Sequence, residues 1–264
     1  MTNRLALKLL FDIGNSALKW GWLDAETQFH FGGWLDWPAQ ADAVVQQIET
    51  ALPGLEEATC WVANVGPRAA LYPLLQALAA RFGTYRMVFA EPACCGVRNG
   101  YADFSLLGVD RWLALIGAWR HHRAPQLMVV DVGSALTVDL LQKGQHQGGM
   151  IVPGVQMMQR CLTQNTDQLA SAMARSPAVQ EAQGLGRTTR EAIVAGTHYM
   201  SAAFVQMLHA DLQEQAGKQP LTVVMTGGQA QQLADLLALP KLVVTPHLVL
   251  QGLAEVARRD DAQR

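Results

Sequence analysis

Two segments of this sequence place a carboxylate, a glycine and a hydroxyl group close together, directly after an apolar run. They are DIGNS at 12–16 and DVGS at 131–134. Glycine lets backbone N–H groups approach phosphate oxygens closely, and asparagine or serine side chains add further donors. A carboxylate tolerates phosphate only with a cation between them, and Mg²⁺ is typically held by one or two carboxylates plus substrate phosphates. The pattern is therefore typical of a phosphate-and-metal site.

The apolar character resumes after each turn, in ALKWGWL at 17–23 and ALTVDLL at 135–141. Each unit is therefore predicted to be strand–turn–strand. Neither segment is a Walker loop, which needs GxxxxGK[ST] before a helix, nor a GxGxxG fingerprint. Because Asp, Asn and Gly are also ordinary turn residues, a plain structural turn remains the alternative at both places.

The second unit follows the first by about half the chain, which suggests a duplicated architecture. We expect an α/β fold with an N-terminal domain at 1–122 and a C-terminal domain at 123–264, divided near Arg123-Ala124-Pro125. A ligand site would then form in the cleft between the halves, which is a common place for ligands. A third glycine turn, TGG at 226–228, follows an apolar strand and precedes a helix. It has room for a flat ligand such as adenosine, or is a plain strand-to-helix turn.

Periodicity, caps and breakers predict the remaining elements. Strands are expected at 59–65, 84–90, 221–225 and 241–244. Helices are expected at 67–82, 107–122, 155–163, 188–215, 229–238 and 248–259, and irregular segments at 91–107 and 164–187.

A second candidate group surrounds the start of the helix at 107–122. Asp110 could accept a proton from a substrate hydroxyl, and Arg111 could bind a substrate carboxylate, because its planar fork matches carboxylate geometry. Tyr101 lies shortly before them. The structural alternatives are a helix-capping or first-turn acid for Asp110 and a paired surface cation for Arg111.

Composition excludes several classes of function. Charged residues make up 16% and hydrophobic residues 50%, and the formal charge is −2 without a Lys/Arg-rich run. Nucleic-acid binding therefore has no electrostatic support. With no signal peptide and no apolar run of membrane-spanning length, we expect a cytoplasmic protein that does not bind membranes. The four cysteines lack CxxC spacing and are expected to be reduced thiols.

Taken together, the motifs resemble those of the type III pantothenate kinases, the group that includes the Bvg accessory factor proteins. This family belongs to the acetate/sugar kinase, Hsp70 and actin superfamily. The resemblance covers nearly the whole chain. The order and spacing of its motifs make it specific: DIGNSALKWG at 12–21, NGYADFSLLGVDRW at 99–112, DVGSALTVD at 131–139, GGMIVPG at 148–154, GRTTREAIVAG at 186–196 and TGG at 226–228.

The resemblance implies two RNase H-like (actin-like ATPase) α/β domains around a cleft, and a homodimer. It implies ATP-dependent phosphorylation of pantothenate at its terminal hydroxyl, the first step of coenzyme A biosynthesis. Two cofactors follow: Mg²⁺ with ATP, and a monovalent cation, K⁺ or NH₄⁺.

By motif match, the resemblance also assigns residues. ATP phosphates and metal would be contacted by Asp12, Ile13, Gly14, Asn15, Ser16, Ala17, Leu18 and Lys19, with Ser134 as a further nucleotide contact. Asp131 would bind the monovalent cation. Pantothenate would be held by Tyr101, Gly108, Val109, Asp110, Arg111 and Thr189, the last of them reaching it across the dimer, with Asp110 as proton acceptor.

Three departures from the family pattern are mild. Ser134 and Ser16 stand where threonine is usual and keep the hydroxyl, and the segment 167–170 lacks an expected proline. Two alternatives remain open. One is a superfamily kinase for another small hydroxyl compound, and the other is a regulatory accessory factor without catalysis. The intact Asp12, Asp110 and Asp131 favour catalysis.

Overall fold

The computed structural model describes residues 7–164, 169, 171 and 184–262. The chain divides into two compact units. The first unit comprises Met1–Arg123, Lys143–Gln147 and His247–Arg264, and the second comprises Ala124–Gln142 and Gly148–Pro246. The domain boundary at 122/123 stays a prediction. It lies next to the first break between the units, but the C-terminal residues, which we expected in the second domain, join the first unit.

The first unit is built on a five-stranded sheet of order β3-β2-β1-β4-β5. Its elements are β1 (Lys8–Ile13), β2 (Ala17–Leu23), β3 (Phe29–Asp36), α1 (Ala41–Ala51), β4 (Thr59–Asn64), α2 (Arg68–Phe82), β5 (Tyr85–Met87), β6 (Ala93–Cys94), β7 (Val97–Arg98), a 3₁₀ turn (Phe104–Leu106), α3 (Val109–His122) and, at the chain end, α7 (Leu248–Ala262). Every residue of β1 is buried, as expected for a central strand covered on both faces.

Two glycines explain why the C-terminal helix packs in the first unit. A Cβ at Gly252 of α7 would lie 1.9 Å from the carbonyl oxygen of Leu113 in α3, and one at Gly117 of α3 would lie 2.6 Å from that of Leu248. Only glycine allows the two helix backbones to approach so closely. The sequence pattern of residues 247–264 predicts a helix but carries no signal for its partner.

The second unit holds β8 (Gln126–Val132), β9 (Ala135–Gln142), β10 (Gln145–Pro153), α4 (Val155–Gln164), α5 (Thr189–Ala216), β11 (Thr222–Thr226), α6 (Ala230–Ala234) and β12 (Leu242–Val244). The first residues of β10 belong to the first unit. The core of the second unit contains Met128, Val130 and Met225 from the central strands and Val205 from α5.

The same strand order occurs in both units, which confirms the duplicated α/β fold. In the second unit the order is β10-β9-β8-β11-β12, which matches β3-β2-β1-β4-β5 position by position. In each unit the central strand is antiparallel to the strand that follows it and parallel to the fourth strand.

The sequence reading missed β3 (FHFGGWLD) and α1 (ADAVVQQIETA) in the first unit. It also predicted 91–107 as irregular, where the structure has the short strands β6 and β7 and the 3₁₀ turn. The Gly-Gly pair inside β3 interrupts the alternation that marks a strand. Most of the segment predicted as irregular at 164–187, including the missing-proline site apart from Leu169, lies outside the described residues. Among the helices that are described, none combines the length and the apolar character needed to cross a bilayer.

Candidate active site

The first acidic turn joins β1 to β2, as predicted. Asp12 is opposite Lys19 in the antiparallel pair, and the Gly14 N–H donates to the carbonyl oxygen of Ala17 at 2.9 Å. The Asp12 side chain is buried, with 8% of its surface exposed, whereas Asn15 is exposed. A buried carboxylate thus lies at the base of a turn whose polar tip is open to solvent.

A glycine that the sequence reading did not select closes this turn. Val65 and Gly66, just after β4, both donate their N–H groups to the carbonyl oxygen of Ile13, at 2.9 and 3.2 Å. A Cβ at Gly66 would lie 2.3 Å from the Gly14 carbonyl oxygen, so no side chain fits there. The only sequence signal was a Gly-Pro pair directly after a predicted strand.

Lys19 brings a positive charge to the same part of the first unit. Its charge reaches His247, whose pKa is lowered mainly by burial and further by Lys19. The His247 ring stacks on Phe31 at a centroid distance of 3.6 Å. The neighbourhood of Lys19 therefore favours a neutral imidazole and leaves the lysine as the cation available to phosphate.

The second acidic turn joins β8 to β9 and repeats the first. Asp131 is opposite Thr137 on one side and Thr226 on the other. The Gly133 N–H donates to the carbonyl oxygen of Ala135 at 3.0 Å. Ser134 lies at the tip, where its carbonyl oxygen accepts from the N–H of Gly154 at 3.1 Å.

The glycine turn at 226–228 packs directly on this second turn. Gly227 has a φ of +101°, and a Cβ there would lie 2.5 Å from both Asp131 Oδ1 and the Val132 carbonyl oxygen. The close approach of Asp131 and Val132 therefore explains why residue 227 is a glycine. At Gly228 a Cβ would meet nothing within 4 Å, so open space remains beside it.

Oxygen atoms dominate the chemistry of the second turn. The Asp131 carboxylate and the Val132 carbonyl oxygen both lie close to Gly227, and hard cations bind oxygen ligands of these kinds. Within the part of the chain that is described, no three His, Cys, Asp or Glu side chains cluster as a dedicated metal site would require.

The third candidate group lies at the N-terminus of α3. Gly108 precedes the helix, and Asp110 is its second residue, with Oδ1 accepting from the Arg111 N–H at 2.8 Å. A Cβ at Gly108 would lie 2.6 Å from Asp110 Oδ1. Glycine at this position therefore keeps the space that the carboxylate occupies, while Val109 is buried.

Arg111 and Tyr101 are in direct contact. Arg111 is buried with 7% exposed, its Nη1 donates to the Tyr101 hydroxyl at 2.9 Å, and its guanidinium lies 5.7 Å from the ring centroid. The Tyr101 ring stacks on His146 at 5.8 Å, with an interplanar angle of 18°. The sequence reading missed His146 because it lies 45 residues after Tyr101 in the sequence.

Thr189 lies in the second unit, where it is the first residue of α5. The helix begins with a capping box, in which Thr188 and Glu191 each accept from the other's backbone N–H. Thr189 lines a cleft of about 870 Å³ between α4 and α5. The cleft is mostly apolar, with Met157, Met158, Leu162, Ile193 and Met200 among its walls.

The predicted residues thus occupy four places. The turn Asp12–Lys19 and the Tyr101–Arg111 group belong to the first unit, and the Asp131–Ser134 turn and Thr189 belong to the second. The predicted placement of the two acidic turns across a shared cleft stays a prediction.

Solved structures share this fold at low sequence identity. A conserved Baf family protein from Campylobacter jejuni is 18% identical with a TM-score of 0.54, covering 96% of this chain and 99% of that chain. A ROK family glucokinase from Streptomyces griseus, in complex with glucose and AMPPNP, is 14% identical with a TM-score of 0.50, covering 96% and 100%. These similarities confirm the fold class that the sequence predicts.

Sequence comparison is more specific. Residues 8–211 match the profile of the family described as type III pantothenate kinase. A type III pantothenate kinase from Aromatoleum aromaticum is 38% identical over 259 residues, which are 96% of this chain and 99% of that relative. The match includes the two acidic turns and the start of α3. The chain belongs to the type III pantothenate kinase family.

Proposed function

We propose that this protein transfers the γ-phosphoryl group of ATP to the terminal hydroxyl of pantothenate, giving 4′-phosphopantothenate for coenzyme A biosynthesis. The observation that carries the proposal is the Asp110, Arg111 and Tyr101 group at the start of α3 in a chain of this family. It combines a proton acceptor with a carboxylate-binding fork, and pantothenate has both a hydroxyl and a carboxylate.

We assign nucleotide binding to the two acidic turns. The turn Asp12–Lys19 offers exposed Asn15 and Ser16 side chains and the Lys19 charge to phosphate oxygens, and Ser134 adds a hydroxyl. Asp12 would hold the Mg²⁺ that accompanies ATP, because Mg²⁺ is commonly bound by one or two carboxylates plus phosphates. When bound, Mg²⁺ would neutralise charge on the transferred group.

We assign the acceptor substrate to the α3 group. The guanidinium of Arg111, fixed by the Tyr101 hydroxyl at 2.9 Å, binds the carboxylate of pantothenate. Gly108 and Val109 bring the backbone close to the substrate, and Thr189 adds a hydroxyl. Asp110 orients the acceptor hydroxyl for in-line attack. A new P–O bond forms as the bond to the ADP oxygen breaks, and Asp110 takes the proton.

Positioning matters more than base strength in this assignment. Phosphoryl transfer has a loose transition state, in which alignment and charge neutralisation supply most of the catalysis. The hydrogen bond from the Arg111 N–H holds the Asp110 carboxylate in one orientation. A carboxylate fixed at a helix N-terminus is therefore adequate for a late proton transfer.

The direct test is a mass-spectrometric assay. Purified protein is incubated with ATP, Mg²⁺, K⁺ and pantothenate, and we expect a phosphopantothenate peak that depends on both substrates. A panel of other small hydroxyl compounds distinguishes a related kinase from a pantothenate kinase. If the folded protein phosphorylates none of them, the regulatory, non-catalytic alternative replaces this proposal.

The same assay tests the monovalent cation. We propose that Asp131 binds K⁺ or NH₄⁺ together with backbone oxygens of its turn, because its carboxylate and the Val132 carbonyl oxygen both lie close to Gly227 and hard cations bind oxygen ligands. We expect faster turnover in potassium or ammonium than in sodium at equal ionic strength, and loss of this preference in Asp131→Asn. Equal rates in sodium and potassium would contradict the assignment.

We propose that the protein is a homodimer that covers the cleft between α4 and α5. Several large apolar side chains on these helices are exposed, including Met157 at 48% and Met200 at 57%. A charge buried there without a partner opposes association, so Met200→Lys is expected to shift the protein to monomer in sedimentation velocity. Met150→Lys, on β10 and also exposed, is the matched control. A monomeric parent protein would exclude the dimer.

We also infer a cytoplasmic location, since the proposed reaction consumes ATP and feeds coenzyme A synthesis. Cell fractionation tests this inference, and recovery of the protein outside the cytoplasmic fraction would contradict it.

A further inference from the structure

The hairpin formed by β6 and β7 carries two adjacent cysteines at its tip. Cys94 is opposite Val97 in the pair, so Cys95 and Gly96 are the two turn residues. Both have positive φ, +51° and +84°, the pattern of a type I′ turn. Asn or Gly normally occupies the first of these positions. A cysteine held in the left-handed region is a strained conformation of the kind that clusters at functional sites.

The two sulfur atoms lie against each other and beside a guanidinium. Cys94 Sγ is 3.3 Å from Cys95 Sγ and accepts from Arg259 Nη1 at 3.0 Å. Arg259 also binds both carboxylate oxygens of Glu91, each at 3.1 Å, which fixes its position. Cys94 is buried, with 4% exposed, whereas Cys95 is half-buried. Only one of the two thiols is therefore open to a reagent from solvent.

The electrostatics divide the roles of the two thiols. A hydrogen bond from Cys94 lowers the pKa of Cys95, and Arg259 lowers it further, although burial opposes both. The same hydrogen bond, together with burial, raises the pKa of Cys94. The accessible sulfur is thus the one that ionises first, and thiolate rather than thiol is the nucleophile in disulfide exchange.

We propose that Cys94 and Cys95 form a reactive dithiol site that small-molecule disulfides oxidise to a vicinal disulfide. The Cys95 thiolate attacks one sulfur of the small disulfide and expels the first small thiol. Cys94 then attacks the Cys95 sulfur and expels the second. The two cysteines lose two electrons and two protons, and the small disulfide gains them as two thiols.

Adjacency makes the oxidised form readily reversible. Consecutive Cα atoms are about 3.8 Å apart across a trans peptide, whereas ordinary disulfides join Cα atoms roughly 4.4 to 6.8 Å apart. Ring closure must therefore distort the hairpin tip. Strained disulfides have higher reduction potentials and belong to the labile, regulatory class.

The hairpin is connected to the candidate pantothenate site by short steps along the chain. The Asn99 N–H donates to the Pro92 carbonyl oxygen at 3.0 Å, and Asn99 Oδ1 accepts from the Tyr101 N–H at 3.0 Å. Distortion of the tip is transmitted through Asn99 to Tyr101. We therefore expect oxidation to weaken pantothenate binding, a consequence that rests on the proposed function.

The chemical part is tested by peptide mapping in a Cys161→Ser background, which removes an exposed thiol. After treatment with oxidised glutathione we expect a peptide containing Cys94 and Cys95 that is lighter by two hydrogen atoms and carries no glutathione. Cys60 is the internal reference, because burial raises its pKa to about 12. A lasting glutathione adduct on Cys95, or no reaction, would overturn the proposal.

Two single variants, each in the Cys161→Ser background, separate the roles. Cys94→Ser is expected to keep the glutathione on Cys95, since no resolving thiol remains. Cys95→Ser is expected to leave Cys94 unmodified, because that sulfur is buried. Modification of Cys94 in the second variant at the rate of the parent would contradict the division of roles.

The coupling to Tyr101 is tested on the same samples by measuring KM for pantothenate before oxidation, after it and after reduction with dithiothreitol. We expect KM to rise on oxidation and to recover. The Cys94→Ser, Cys95→Ser double variant should not respond. An unchanged KM with complete disulfide formation would exclude the coupling. A reduced protein without kinase activity would instead count against the proposed function and leave the mapping result unaffected.

Discussion

Asp110→Asn is expected to lower kcat for pantothenate phosphorylation by about 10² to 10⁴-fold, the range that a positioned general acid or base contributes. Asparagine preserves the size of the side chain, and its oxygen can still accept a hydrogen bond from the Arg111 N–H. In the native protein this hydrogen bond to Asp110 Oδ1 measures 2.8 Å. Asparagine cannot take the proton of the acceptor hydroxyl. The change should therefore leave KM close to its native value, while steady-state kinetics record the loss in kcat.

Asp42→Asn is a matched control for this variant. Asp42 is the second residue of α1, as Asp110 is of α3, and both place a carboxylate in the first turn of a helix. Removing either charge eliminates a similar favourable interaction with the helix dipole, which stabilises the fold by about 0.3 to 1 kcal/mol. Thermal unfolding should show comparable small shifts for both variants, and only Asp110→Asn should lose activity. A near-native kcat in Asp110→Asn would remove Asp110 from the reaction.

Arg111→Lys is expected to raise KM for pantothenate by roughly tenfold to a hundredfold. This range corresponds to losing about 1.5 to 3 kcal/mol of binding free energy, the contribution of a hydrogen bond to a charged group. Lysine keeps the charge but not the planar fork that binds a carboxylate through two N–H groups. It also loses the defined donation to the Tyr101 hydroxyl. Because Arg111 acts on binding, kcat at saturating pantothenate should fall much less than KM rises.

Arg120→Lys controls for the substitution itself. Arg120 belongs to the last turn of the same helix, is exposed, and pairs with Glu255 at 3.2 Å. An exposed ion pair of this kind contributes little to stability, so the KM of Arg120→Lys for pantothenate should match that of the parent protein. A double-mutant cycle with Tyr101→Phe then measures the coupling of Arg111 to Tyr101. If Arg111→Lys and Arg120→Lys have the same KM, Arg111 does not bind the substrate carboxylate.

Sequence alone determined the local units of this protein. The two acidic turns are visible because each combines an apolar run, a glycine and a second apolar run, which specify a strand–turn–strand without help from distant residues. The helix predicted at 188–215 is present as Thr189–Ala216, and the residues of its capping box, Thr188 and Glu191, are only three positions apart. The repeat of the acidic turn also predicted the duplication that the equal strand orders confirm.

Tertiary structure decided what depends on partners remote in sequence. Gly66 closes the Asp12 turn and Gly227 closes the Asp131 turn, each because a Cβ would meet backbone or carboxylate oxygens of a strand far away along the chain. His146 stacks on Tyr101 and α7 packs on α3 for the same kind of reason. Periodicity and turn chemistry report the conformation of a segment. They do not report which other segment packs against it, because that choice rests on contacts formed only when the chain folds.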